Sequence, residues 1–131
     1  MAGKFAYRAG VVLTAVPVLF LIFDSVIKFS GLPIVRQSMI ELGYPVEAAL
    51  GIGLLEIACL AIYLVPRTSV LGAVLLTGYL GGAIATHVRV GNPLLSHVLF
   101  PTYVAVLLWA GLFLREQRLR VLLPLRAASS V

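Results

Sequence analysis

Apolar stretches about twenty residues long recur along the chain, and they constrain its fold more than any other feature. A helix of about 20 apolar residues crosses the hydrocarbon of a bilayer. Residues 9–29, 46–65, 70–88 and 97–114 all come close to that length. The runs are continuous, without the apolar–polar alternation of an outer-membrane barrel. The expected fold is therefore all-α: an integral membrane four-helix bundle in a single domain of 131 residues. Only 11% of residues are charged and 61% are apolar, against about 25% charged in a soluble domain. This excludes a soluble enzyme, a disordered regulator and a nucleic-acid-binding domain.

Between the first two spans the composition changes. Gly31, Pro33, Arg36, Gln37, Glu41, Gly43, Pro45 and Glu47 interrupt the apolar pattern. Residues 34–42 keep one short apolar face, which predicts an interfacial helix closed by Gly43 and Pro45. Pro17 is expected to bend the first span. Pro66-Arg67-Thr68 reads as a tight turn with Thr68 or Ser69 capping the next helix. Residues 115–131 form a basic, partly amphipathic tail in which Pro124 ends any helix.

The net charge of +5 comes from cations at the ends of the apolar runs. Lys4, Arg8, Arg67, Arg115, Arg118, Arg120 and Arg126 fall on one side, and Lys28, Arg36 and Arg89 on the other. The positive-inside rule then places both termini in the cytoplasm, with the chain in the inner membrane. The single cysteine, Cys59, excludes an intrachain disulfide and a dithiol relay.

Ionisable groups within a span are costly and point to function. Glu56 lies near the middle of the second span and needs a partner on another helix, a proton or a wet cavity. Its alternative role is a structural hydrogen bond between helices. Asp24 and Lys28 are spaced for a helical ion pair, and Lys28 can also snorkel outward. His87 ends the third span beside Thr86 and close to Arg89. Tyr79 shares its face, and His97 opens the fourth span. Asp24, His87, Arg89 and His97 thus meet at one outer mouth, with Glu56 deeper. Glu56, His87 and Asp24 are candidates for acid–base work; Tyr79, Thr86, Arg89 and His97 are candidates for ligand binding. No further histidine supports a closed metal site, so neither metal nor haem is expected. Tyr63, Tyr103 and Trp109 read as interfacial anchors. Gly78 and Gly82, with Gly81 and Ala85 beside them, predict close helix packing within the bundle, or else a homo-oligomeric contact.

The run Leu75-Leu76-Thr77-Gly78-Tyr79-Leu80-Gly81-Gly82-Ala83, followed by Ala85-Thr86-His87-Val88-Arg89, resembles the DoxX-like family of small membrane proteins. Pro66-Arg67-Thr68, Leu71-Gly72-Ala73, Gly43-Tyr44-Pro45, Gly53-Leu54-Leu55-Glu56 and His97-Val98-Leu99-Phe100-Pro101 extend the likeness over residues 9–126. The resemblance implies four membrane helices. The family takes its name from a membrane subunit of a thiosulfate:quinone oxidoreductase, and some relatives are linked to redox-stress complexes. It therefore implies a redox-associated subunit that holds a quinone or another lipophile, or docks a redox partner protein. It carries no agreed catalytic role for Glu56, Thr86, His87 or Arg89. Other readings of the same residues are a self-sufficient membrane enzyme doing isomerisation or epoxide opening, and a non-catalytic scaffold. A transporter is disfavoured by small size and the lack of an inverted repeat.

Overall fold

The computed structural model describes residues 2–124; Arg126 and the rest of the tail after Pro124 lie outside the described residues. Helix α1 covers Ala2–Ser30, α2 Pro33–Leu42, α3 Ala48–Leu64, α4 Ser69–Arg89, α5 Phe100–Arg115 and α6 Gln117–Leu122. A 3-10 turn at Pro66–Thr68 joins α3 to α4, and a π-helical turn at Leu94–Val98 precedes α5. Three segments, Gly3–Ser30, Pro66–Arg89 and Leu94–Arg115, are long and apolar enough to cross a membrane. Helix α3 is apolar but shorter, at 17 residues, about 25 Å at 1.5 Å per residue.

Helix α1 packs on α3 and α5, and α4 packs on the same two helices. The shared core is built from Leu21, Leu60, Leu76, Leu108 and Leu112, all almost fully buried. Pro17 sits buried within α1, which continues through it to Ser30. Helix α2 lies at the end where α1 finishes and α3 begins. Val35 and Met39, four residues apart, bury one face of α2 against Ala49 and Ile52. Its other face exposes Ile34 and Ile40. Gly43 ends α2 with φ +80°, a conformation that favours glycine, and Tyr44 N–H closes back on the Met39 carbonyl at 2.9 Å.

Three expectations are corrected here. Thr68 and Ser69 do not cap the start of α4. The Thr68 hydroxyl donates to the Ile62 carbonyl at 2.7 Å, and Ser69 donates to the Val65 carbonyl at 3.0 Å. They satisfy the orphan carbonyls at the end of α3 instead. Tyr63 is not an interfacial anchor. It is 1% exposed and donates to the Leu108 carbonyl at 2.8 Å, while Arg115 donates to its oxygen at 3.2 Å. Nor do Gly78, Gly81 and Gly82 make the tight packing within the bundle: a side-chain carbon at any of them would meet nothing within 4 Å.

The closest approaches lie at other glycines, at the end of the molecule opposite α2. A carbon added at Gly72 would lie 2.2 Å from the Tyr63 backbone nitrogen. One at Gly111 would lie 2.3 Å from Thr14 Oγ1. Gly72→Val is therefore expected to destabilise the protein by about 3 kcal/mol or more, the upper end of overpacking costs, because the atoms it meets are backbone. Gly78→Ala should stay within about 1 kcal/mol of the parent. Thermal unfolding in one detergent compares the two; equal melting temperatures would contradict the Gly72 contact.

Candidate functional site

Glu56 projects from the middle of α3 and is fully buried. Its partners come from two other helices. Lys28 Nζ on α1 donates to Glu56 Oε2 at 2.8 Å, and Tyr79 OH on α4 donates to the same oxygen at 3.1 Å. Lys28 also donates to Tyr79 Oη at 3.1 Å and pairs with Asp24 one turn before it. The ammonium lies 5.8 Å from the centre of the Tyr79 ring. Four polar residues on three helices thus form one connected group.

The direction of Lys28 follows from helix geometry. Side chains lean towards the N-terminus of their own helix. Helix α1 runs towards the α2 end, so Lys28 leans back into the molecule, along Asp24 and onto Glu56. The helical ion pair with Asp24 is present, and the outward course open to Lys28 is not the one it takes. Gly53 makes room for this crossing: a carbon placed there would lie 3.2 Å from Lys28 Cβ and 3.0 Å from the Phe29 ring. Ser25 Oγ and Glu56 Oε1 are the two buried side-chain atoms without a hydrogen-bond partner among the described residues.

This group forms part of the wall of a cavity of about 870 Å³, within the range of about 300–1,000 Å³ usual for small-molecule sites. Asp24, Lys28, Glu56 and Tyr79 face it from one side. Most of the remaining wall is apolar, including Phe20, Ile52, Val74 and Phe100. Helix α2 contributes Ile34, Val35, Ser38, Met39 and Leu42. The open positions Gly78 and Gly82 also line it. Helices α3 and α4, tight at Gly72, therefore leave room beside Gly78.

The other candidates fall into separate places. His87 lines the cavity, with Nδ1 2.6 Å from the Asn92 side-chain amide. The His97 ring packs edge-on against it with centroids 5.8 Å apart, and its own Nδ1 lies 2.8 Å from Ser96 Oγ. His97 is outside the cavity lining, because the π-helical turn carries it to the exposed rim. Thr86 hydrogen-bonds Tyr44 Oη at 2.8 Å, and Arg89 donates to the Leu42 carbonyl. Thr86 and Arg89 thus tie the α2–α3 connection to α4, and Arg89 does not line the cavity. Of the four residues expected at one mouth, Asp24 and His87 both line the cavity, His97 stands at its rim against His87, and Arg89 is turned to the end of α2.

Sequence reasoning paired Lys28 with Asp24 but did not connect it to Glu56 or Tyr79. The usable signal was charge: a mid-span Glu56 needs a cation, and Lys28 is the cation closest to the mid-plane of any apolar run. Tyr44 carried no comparable signal, since its contact with Thr86 spans 42 residues of sequence.

A family model described as the DoxX-like family matches residues 12–111. That match contains Asp24, Lys28, Glu56, Tyr79 and the histidine pair. No curated protein and no solved structure matches the chain.

Proposed function

The chain belongs to the DoxX-like family, and from that premise we propose that it is a lipophile-binding membrane subunit serving a redox system, with a quinone or quinol as ligand. The observation that carries this reading is the cavity of about 870 Å³, apolar on most of its wall with one polar group on one side. That arrangement suits a long apolar molecule with a polar head. The tail would lie along Phe20, Val74 and Phe100, and the head at Asp24, Lys28, Glu56 and Tyr79. Electron transfer would be the ligand's chemistry; the chain would bind it, orient it and exclude water. The open wall beside Gly78 and Gly82 offers a way in from the bilayer.

Within this proposal all four long helices are membrane spans. Helix α3 is about 25 Å long, a few ångströms less than the hydrocarbon thickness, a mismatch that costs fractions of a kcal/mol per ångström. Arg115, Arg118 and Arg120 sit at the end opposite α2. The positive-inside rule then puts that end in the cytoplasm of an inner-membrane protein and α2 at the outer face.

A second reading has one observation in its favour. Glu56 Oε1 is buried and unpartnered, a suitable position for a base in isomerisation or epoxide opening on a lipophile. Purification from native membranes in a mild detergent, followed by lipid extraction and mass spectrometry, tests the first reading. About one quinone or quinol per chain is expected, falling sharply in Gly78→Phe, which fills the cavity beside Tyr79. Ordinary phospholipid alone, unchanged in the variant, would overturn it.

A further inference from the structure

We propose that the cavity recognises its ligand through hydrogen bonds that the ligand donates, and so binds a quinol in preference to the quinone. The inference rests on the lipophile-binding reading and specifies which form of the head group fits.

The hydrogen-bond inventory of the polar group carries it. A lysine ammonium has three donors and no acceptor. Lys28 spends all three: on Asp24, on Glu56 Oε2 and on Tyr79 Oη. A tyrosine hydroxyl has one proton, and Tyr79 spends it on Glu56 Oε2. No donor of Lys28 or Tyr79 remains for a ligand. The unspent capacity is all acceptor. Asp24 receives Lys28 on Oδ2 alone, and its side chain is 38% exposed. Glu56 Oε1 makes no bond but is enclosed out of a ligand's reach, so Asp24 is the acceptor that a ligand meets. A quinone oxygen only accepts, so it would cover Asp24 without giving its free oxygen a donor. A quinol hydroxyl brings the proton that Asp24 lacks.

The rest of the wall does not reverse this balance. Thr86 Oγ1 donates to the Gly82 carbonyl at 2.9 Å, so Tyr44 donates to Thr86. The Ser38 hydroxyl on α2 serves either role. His87, accepting on Nδ1 from the Asn92 amide, keeps a proton on Nε2. It lies eight residues along α4 from Tyr79, about 12 Å. The deep end of the cavity accepts; a donor stands only towards the α2 end.

The test uses the full chain in lipid nanodiscs, with decylbenzoquinone, its hydroquinone and the dimethyl ether of the hydroquinone as probes under anaerobic conditions. The hydroquinone is expected to bind at least about tenfold more tightly than either of the others, the worth of one hydrogen bond to a charged group. Asp24→Asn keeps a carbonyl for Lys28 and adds an amide donor to the cavity, so the preference should shrink or reverse. Tyr79→Phe frees one Lys28 donor and should tighten quinone binding, which guards against reading a fold defect as specificity. Equal affinity for the three probes, or tighter binding of the quinone, would overturn the inference while leaving the lipophile-binding reading in place. Binding of none of the three would overturn that reading itself.

Discussion

Replacing Lys28 with methionine is expected to destabilise the protein by about 3–5 kcal/mol, the usual cost of leaving a buried charge without its partner. The Glu56 side chain is fully buried, and its only bonded oxygen depends on Lys28 and Tyr79. Without the ammonium, Glu56 must take up a proton or draw in water, and α1 loses its polar tie to both α3 and α4. The triple variant Lys28→Met, Glu56→Gln, Asp24→Asn removes every charge in the group and should recover most of the loss, since neutral replacement of a buried ion pair is often close to neutral in stability. Unfolding in detergent, followed by circular dichroism, gives both numbers. A single Lys28→Met variant within about 0.5 kcal/mol of the parent would show that the group does not hold the helices together.

The second large effect concerns the cavity. Gly78→Phe should fill the space beside Tyr79 and reduce ligand retention at least about a hundredfold, because a bulky ring and a lipophile compete for the same volume. The fold should tolerate the change, as a side chain at Gly78 starts from open space. The melting temperature should move by less than about 4 °C, the shift that about 1 kcal/mol produces. Gly81→Phe is the matched control. Gly81 is equally open but does not line the cavity, so its ligand content should equal that of the parent. Equal loss in both variants would point to a general effect of bulk on α4, and equal retention would place the ligand elsewhere.

The two experiments separate holding the bundle from holding a ligand. Lys28 and Glu56 take part in both, whereas Gly78 takes part only in the second. A protein that loses its ligand in Gly78→Phe but keeps its melting temperature therefore locates the binding volume without disturbing the charges.

Much of the helical layout was legible in the sequence because it is written locally. A run of apolar residues as long as 70–88 has no soluble alternative. Gly31 and Gly43 adopt positive φ at the ends of α1 and α2, and Pro66 starts the turn after α3. Helix α2 was readable from Ile34, Val35, Met39, Ile40 and Leu42, of which Val35 and Met39 are the buried pair and Ile34 and Ile40 are exposed. The irregular stretch before α5 was foreshadowed by Gly91, Asn92 and Pro93.

What the sequence could not determine is how each helix is rotated about its own axis. A soluble helix announces its buried face by polar residues on the other, but a helix apolar all round gives no such signal. Gly72 and Gly78 therefore looked alike, although one meets the backbone of Tyr63 and the other open space. For the same reason Tyr63 read as an anchor at a helix end, while the fold buries it beneath Arg115. Glu56 and Asp24 were identified from residue type, because a carboxylate in an apolar run is costly wherever the helix points, and Tyr79 from the face it shares with His87. Their meeting through Lys28 was decided by the tertiary structure: the antiparallel crossing of α1 and α3 at Gly53, and the lean of a lysine side chain back along its own helix.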